Sequence, residues 1–276
     1  MESRPPPKRR TKRCLVLTVA AVLLLIVVLG VALGVALKRN SEPFKKTFID
    51  RYSAELSMIF QIHCGKIWTA FEQAYVRKDP CKVPMEAYDP LMAAAPFKPA
   101  CNRMMFWSKT KEVVHDFTAK KDCFLTLEDT LLGSVLDGLT WCGKEGSSDT
   151  FTAGCPGWTD CDNNTVRSFW NRVSAAFADA ACGDATVMLN GSLATPFSPY
   201  SIFGSIEVKN FNSQRMKSLN VVLITQEKNV SNCSNASFKD LQKELDGGIK
   251  YNCKEVSEAQ LQWCSSSPET PCGSCW

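Results

Sequence analysis

The chain has 276 residues, 45% of them hydrophobic, with a net charge of +4 and 14 cysteines. It is long enough to bury a sizeable core. Residues 1–13 alone carry a charge of +5, so the remaining 263 residues sum to about −1. A main body without a basic excess excludes nucleic acid as an expected partner.

The N-terminal region predicts a membrane anchor. Residues 14–37 contain no charged side chain, and as a helix they would extend about 36 Å, enough to cross a bilayer. The preceding basic residues favour a cytosolic N-terminus. A cleaved secretory signal is the alternative, but its apolar region is usually shorter. We therefore expect a single-pass type II membrane protein, with a cytosolic tail over 1–13, a signal anchor over 14–37, a stalk over 38–46 and an extracellular domain over 47–276.

Cysteines and glycosylation sequons agree with an extracellular location. Thirteen of the 14 cysteines follow the predicted anchor, which suits an oxidising compartment. N-x-[ST] sequons, the acceptor sites for N-linked glycans, also follow it. The five sequon asparagines are Asn163, Asn190, Asn229, Asn232 and Asn235.

The extracellular segment changes character along its length. Helical periodicity dominates 47–143, as in 48–60, 67–76 and 110–121. Residues 144–165 predict a disulfide-pinned loop, and 166–181 an amphipathic helix. Over 166–276, predicted strands at 186–190, 205–211, 219–226 and 249–256 alternate with helices, including one at 238–248. We expect an α+β or α/β fold, in which a helical lobe and a lobe with a small parallel sheet form a cleft.

The segment Thr126–Gly143 combines an apolar helical stripe with two acids. Thr126 and Asp129 form an [ST]-x-x-[DE] start signal, which predicts a helix that begins near Glu128. Glu128 and Asp137 then lie at the two ends of the stripe. On this pattern alone, they are equally compatible with a functional acid pair and with a capped, solvated helix.

Few common catalytic motifs occur in the sequence. The two histidines, His63 and His115, are expected to be surface or packing residues, and no HExxH, Walker A, GxGxxG or GxSxG motif is present. Cys272 and Cys275 match CxxC, but outside the cell we expect a structural disulfide or a free end there. No second cysteine pair completes a zinc site, so no metal is expected.

Carboxylates and tryptophans remain as candidates for chemistry. Glu207 lies in a strand-like stretch beside Gly204, a pattern that fits either a site or an exposed edge. Trp107 and Trp170 lie in apolar surroundings, where core packing is the alternative. Acids combined with aromatic rings suit cleavage of a glycosidic bond through a cationic sugar transition state.

Three segments carry a resemblance to a known family. They are TLEDTLLGSVLDGLTWCG, FWNRVSAAFADAACGDATVMLNGS and FGSIEVKN. They resemble signature segments of the ADP-ribosyl cyclase / cyclic ADP-ribose hydrolase family, and the predicted anchor resembles that of its type II lymphocyte ecto-enzyme branch. The resemblance covers nearly all of 45–273.

The resemblance implies an NAD glycohydrolase that cleaves the nicotinamide–ribose bond of NAD. The products would be ADP-ribose and cyclic ADP-ribose, which the enzyme would also hydrolyse, and base exchange on NADP would give NAADP, in keeping with calcium signalling. NAD and NADP are then substrates, and no cofactor is expected.

The resemblance also implies residue roles. Glu207 would stabilise an oxocarbenium-like intermediate, and Glu128 would bias hydrolysis against cyclisation. Two positions depart from the family pattern, since Lys109 replaces a common arginine and Ile202 replaces a hydroxyl residue near the phosphates. The implied substrate-binding residues are Trp107, Trp170, Asp137, Ser174, Ser108, Lys109 and Phe203.

The family's cysteine pairing implies five disulfide bonds. These are Cys81–Cys161, Cys101–Cys182, Cys142–Cys155, Cys233–Cys253 and Cys264–Cys272. Relatives pair the Cys64 position with an upstream cysteine near Tyr52, which this chain lacks. Cys64, Cys123 and Cys275 are therefore left over, and Cys64–Cys123 is one substitute pair.

Two other functions compete with this interpretation. One is a receptor or adhesion ectodomain with a vestigial pocket, and the other is a conventional glycosidase. A homodimer or a cell-surface protein partner is compatible with each of these functions.

Overall fold

The computed structural model describes residues 23–27, 43–53, 61–98, 101–226, 230–267 and 269–276. The predicted cytosolic tail, most of the predicted anchor and Asn229 lie outside these residues. Within the described ranges, no helix has the length and apolar character needed to cross a membrane. Residues 23–27, within the predicted anchor, are helical, and residues 43–46, expected as stalk, begin the next described helix, where Phe44 is buried in the core.

The described chain alternates helices with four strands. After the helical residues 23–27, the helices are α1 (43–53), α2 (Gln61–Gln73), α3 (Asp89–Ala94), α4 (Lys111–Lys120), α5 (Leu131–Leu136), α6 (Thr165–Asp179), α7 (Val208–Asn210), α8 (Ala236–Glu244) and α9 (Glu258–Ser266). The strands are β1 (Met105–Ser108), β2 (Gly183–Asn190), β3 (Met216–Thr225) and β4 (Lys250–Ser257). Single 3-10 turns lie at Met85–Tyr88 and Cys272–Ser274, and a π-helical turn spans Phe203–Glu207.

The strands form one parallel sheet in the order β1-β2-β3-β4. This confirms the predicted fold class, and the strands predicted near 186–190, 219–226 and 249–256 are β2, β3 and β4. The sheet also contains β1, which comes from the segment expected to be mainly helical. In β1 the register pairs Trp107 with Met188. A four-residue strand gives too short a run for periodicity to reveal it.

An aromatic core joins the N-terminal helices to α6. Trp141 is fully buried, with its ring centroid 5.2 Å from that of Phe71 and 5.3 Å from that of Phe169. Phe48 of α1 packs on Phe71 at the same 5.2 Å separation. Rings at these distances and angles contribute dispersion and quadrupole attraction beyond their buried area. The cluster fixes α6 against the segment Thr126–Gly143.

The strand predicted at 205–211 is wrong. The chain there forms the π-helical turn and continues into α7. Ser201 starts this turn, because its Oγ accepts a hydrogen bond from the Gly204 amide at 3.0 Å. A side chain at position 204 would place its Cβ 2.3 Å from the Ser198 carbonyl oxygen, so glycine is required for this close approach. These contacts come from a neighbouring loop. The alternation of side chains along 205–211, on which the strand prediction was based, contains no information about them.

The helix predicted to begin near Glu128 starts later. Asp129 does bond back to Thr126, with 2.7 Å between the Thr126 amide nitrogen and Asp129 Oδ2, but this contact closes a turn. The helix α5 begins at Leu131, after the N-cap Thr130. The turn packs tightly on Gly133, where an added Cβ would lie 2.0 Å from the Leu127 carbonyl oxygen. Glu128 therefore lies on a fixed turn outside the helix.

Six disulfide bonds connect the described chain, and four of them are the implied pairs. These four are Cys81–Cys161, Cys101–Cys182, Cys142–Cys155 and Cys233–Cys253.

The cysteine pairing expected near the C-terminus is wrong. Cys264 pairs with Cys275 instead of Cys272, and Cys272 pairs with Cys123. The Cys64–Cys123 alternative is wrong as well, since Cys64 is a buried free thiol. The buried Lys121 donates to backbone carbonyls of the C-terminal loop, including that of Thr270 at 2.9 Å, and so holds this loop against the segment that carries Cys123.

Candidate active site

One cavity of about 480 Å³ collects the residues that the sequence singled out. Its walls are α6, the end of β1, the turn before α5 and the π-helical turn. The nine predicted catalytic and substrate-binding residues that line it are Glu207, Glu128, Trp107, Trp170, Asp137, Ser174, Ser108, Lys109 and Phe203. Segments up to about a hundred residues apart in sequence therefore meet in one place.

Glu207 is a buried carboxyl group in the wall of the cavity, with 7% of the residue exposed. Burial raises its pKa to about 8, although a hydrogen bond from the Ser174 hydroxyl lowers the pKa and the nearby charge of Glu128 raises it. The carboxyl group is thus largely protonated at neutral pH. A cation bound beside it would favour the ionised form.

Glu128 approaches the same cavity from the turn before α5. The indole Nε1 of Trp107 donates to Glu128 Oε2 at 3.2 Å. The His115 ring packs against Trp107 with ring centroids 5.7 Å apart, in keeping with a packing role. His115 Nε2 lies 3.9 Å from the same Glu128 oxygen, too far for a hydrogen bond but within electrostatic reach. Glu128 is therefore oriented by a ring that itself lines the cavity.

Asp137 marks the more open side of the cavity. It ends α5, and Lys111 from the start of α4 approaches its carboxylate at 3.1 Å. Arg51 of α1 donates to the Asp137 backbone carbonyl at 2.9 Å. The Asp137 side chain is 40% exposed, so this ion pair is screened by solvent and orients the acid more than it stabilises the fold.

The helix α6 lies lengthwise along the cavity. Its lining residues recur with helical spacing, which places them on a single face. From the N-terminal end they are Arg167, Trp170, Asn171, Ser174 and Phe177. Sequence reasoning found Trp170 and Ser174 but missed Arg167 and Asn171, although counting three and seven residues back from Ser174 reaches both.

Asn164 fixes the rim of the cavity next to α6. Its side-chain oxygen accepts from the Arg167 amide at 2.9 Å and caps the helix. Its side-chain amide donates to the carbonyls of Gly157, Trp158 and Cys161 at 2.9–3.3 Å. One buried side chain thus holds the loop that carries Trp158, a rim residue. Sequence reasoning missed Trp158, because loop residues leave no periodic signal.

Basic side chains surround the region where β1 ends. Lys109 adopts φ 60°, a left-handed conformation, and its carbonyl accepts from Asn190 Nδ2 at 3.1 Å. Lys109 lines the cavity together with Lys111 and Arg167. Together with the acids of the same cavity, these three cations suit a ligand that carries both negative phosphates and a cationic group.

Comparisons with known proteins point to one family. A sequence model of the family described as ADP-ribosyl cyclase matches residues 41–273. The rat protein named ADP-ribosyl cyclase/cyclic ADP-ribose hydrolase 1 is 37% identical over 213 residues, which are 75% of this chain and 70% of the relative.

Solved structures give the same result. Porcine CD38 complexed with a covalent intermediate superimposes with a TM-score of 0.71 at 37% identity, covering 78% of this chain and 96% of that one. Aplysia cyclase complexed with the substrate NGD and the product cGDPR gives a TM-score of 0.70 at 26% identity, covering 84% and 96%.

Proposed function

The chain belongs to the ADP-ribosyl cyclase family, and we propose that this enzyme releases nicotinamide from NAD. The products are ADP-ribose and cyclic ADP-ribose, and the latter is hydrolysed in turn. The rat relative is named for both activities. The proposal needs no cofactor, because NAD and NADP are the substrates.

The buried carboxyl group of Glu207 carries the proposal. Nicotinamide is attached as a pyridinium and leaves as a neutral base, so its departure requires no general acid. The positive charge passes to the ribose, and a carboxylate in a cavity with restricted water stabilises that cation electrostatically. The pyridinium charge also favours ionisation of Glu207, whose pKa is about 8 in the free protein. The rings of Trp107 and Trp170 suit a flat cationic group, at about 0.5–2 kcal/mol per contact.

The ribosyl intermediate is the point at which products diverge. Attack by water gives ADP-ribose, attack by the adenine of the same molecule gives cyclic ADP-ribose, and attack by another base exchanges the nicotinamide, which converts NADP into NAADP. Glu128 favours water in this scheme. Its hydrogen bond with Trp107 and its charge near Glu207 support a role at that branch.

The enzyme is proposed to face the outside of the cell on an N-terminal anchor. Six disulfide bonds and the sequons support this location. Among the sequons, Asn163 and Asn232 are exposed and suit glycans best. Glycosylation at Asn190 or Asn235 would replace amide hydrogen bonds to the carbonyls of Lys109 and Ala194 respectively.

The test is product analysis by HPLC after incubation with NAD. Wild-type protein should release nicotinamide with ADP-ribose and cyclic ADP-ribose, and Glu207→Gln should lose at least a thousandfold in rate. Glu145→Gln, at an exposed position, serves as the matched control. A wild-type protein that is inert toward NAD would favour the receptor alternative, and near-normal turnover by Glu207→Gln would remove Glu207 from its role.

A further inference from the structure

We infer that Arg167 binds a phosphate group on the adenosine half of the dinucleotide and so determines which substrates the enzyme prefers. This inference rests on the proposed function, because it takes the reacting ribose to lie against Glu207. Arg167 lines the same cavity as Glu207, but it belongs to a different turn of α6 from Ser174, which contacts Glu207.

The helix α6 sets the distance between the two ends of the site. Seven residues separate Arg167 from Ser174, and at 1.5 Å per residue they span about 10 Å along the helix axis. An extended chain covers roughly 3.5 Å for every three bonds. The adenosine-side phosphorus, seven bonds from the anomeric carbon, therefore lies roughly 8 Å from it, with the adenosine ribose beyond. The helix separation of about 10 Å is close to this length, so Arg167 can reach a phosphate when the reacting ribose lies beside Glu207 and Ser174.

The guanidinium group suits this position chemically. Its planar fork matches two phosphate oxygens at once, which the ammonium group of lysine does not. Lys109 and Lys111 approach the cavity from the wall formed by the end of β1 and the start of α4. Lys111 is already paired with Asp137. Arg167 therefore adds a bidentate contact from the wall formed by α6.

The present partner of Arg167 is easily displaced. Arg167 Nη1 lies 2.9 Å from Asp162 Oδ1, and the Asp162 side chain is 93% exposed. An ion pair so open to water is weak, whereas a phosphate held inside the cavity is shielded from solvent on several sides. Asp162 and the phosphate then compete for the same guanidinium group. Removing Arg167 should therefore weaken dinucleotide binding, whereas removing the charge of Asp162 should strengthen it or leave it unchanged.

The test measures nicotinamide release from NAD, NADP and nicotinamide mononucleotide by the full chain. Arg167→Ala should raise KM at least fivefold for one or both dinucleotides, keep kcat within twofold and leave the mononucleotide unaffected, because that substrate lacks the adenosine half. If KM rises equally for NAD and NADP, Arg167 binds the pyrophosphate. If KM rises for NADP alone, Arg167 binds the 2′-phosphate. Arg167→Lys should fall between wild type and alanine, and Asp162→Asn should lower KM or leave it unchanged.

Two controls separate this inference from a general defect. Arg172 lies on the same helix outside the cavity and is paired with Asp89. The Arg172→Ala variant should therefore leave KM unchanged. Calorimetric binding of ADP-ribose and its 2′-phosphate to Glu207→Gln protein, with and without Arg167→Ala, needs no turnover. If the wild-type protein releases no nicotinamide, the proposed function is refuted. The calorimetric comparison still shows whether Arg167 contributes to binding of the adenosine-side phosphate. Unchanged dinucleotide KM and binding, or an equal loss with the mononucleotide, would overturn the role of Arg167.

Discussion

Replacing Glu207 by glutamine should stabilise the fold, and the gain should grow with pH. Glutamine keeps the size of the side chain and can accept the Ser174 hydrogen bond, but it never carries a charge. Burial raises the native pKa of Glu207 from 4.5 to about 8. Between these two values the native state holds a proton that the unfolded state has released. The wild-type free energy of unfolding therefore falls as the pH rises through this window.

The size of the effect follows from the two pKa values. Moving a pKa from 4.5 to about 8 corresponds to a total of about 5 kcal/mol in the free energy of unfolding. Most of this develops between pH 5 and pH 8, where linkage gives about 3.5 kcal/mol. At pH 5 and below, the native carboxyl group is neutral, so wild type and Glu207→Gln should have similar stabilities.

Urea unfolding at pH 5, 6, 7 and 8, with the disulfide bonds intact, measures the difference between the two proteins. Other groups also titrate in both proteins. The informative quantity is therefore the gap, meaning the free energy of unfolding of Glu207→Gln minus that of wild type, at each pH. Glu145→Gln, at an exposed site, should show a gap close to zero throughout. A Glu207→Gln gap that stays constant from pH 5 to pH 8 would refute the argument that a buried carboxyl group is held neutral in the native protein.

Three further predictions address the same site. The kcat/KM for NAD should rise with pH up to about 8, as the free enzyme loses the Glu207 proton, and a flat profile from pH 6 to pH 9 would contradict this. Gly204→Ala should lower both Tm and nicotinamide release, because the new methyl group meets the Ser198 carbonyl at 2.3 Å. Gly247→Ala, with no atom within 4 Å, should change neither, and identical behaviour of the two variants would reject the close-approach argument. Asn164→Ala should cost about 1–2 kcal/mol in urea unfolding and raise KM by loosening the rim loop, so an unchanged unfolding midpoint would count against its capping role.

Local sequence patterns predicted much of this fold because several elements have a recognisable local composition. The helix α6 carries apolar residues at helical spacing, whereas β2, β3 and β4 were predicted from short, partly β-branched runs between turn residues. The strand β1 has four residues and owes its conformation to pairing with β2. The π-helical turn that carries Glu207 depends on contacts with a loop. Local sequence patterns therefore could not predict these two elements, because tertiary contacts determine their conformation.

The nine candidate site residues line one cavity, but the local structure expected for some of them was wrong. Glu128 and Glu207 were both singled out, yet one was expected in a helix and the other in a strand, and both lie on turns. A family motif is recognised by residue types and their spacing. This recognition does not depend on whether the secondary structure assumed for the segment is correct. Arg167, Trp158 and the C-terminal cysteine pairing were missed, because rim positions and disulfide partners depend on how distant segments meet.

The parallel sheet also constrains the order in which a newly made chain can mature. Met105 of β1 is the register partner of Thr186, and Cys123 bonds to Cys272, 149 residues away. Trp107 and Glu128 are therefore synthesised well before the strand and the turn that complete their surroundings. All six disulfide bonds can form only after Cys272 and Cys275 have been made. A chain that stops before Cys272 therefore leaves both Cys123 and Cys264 without their disulfide partners.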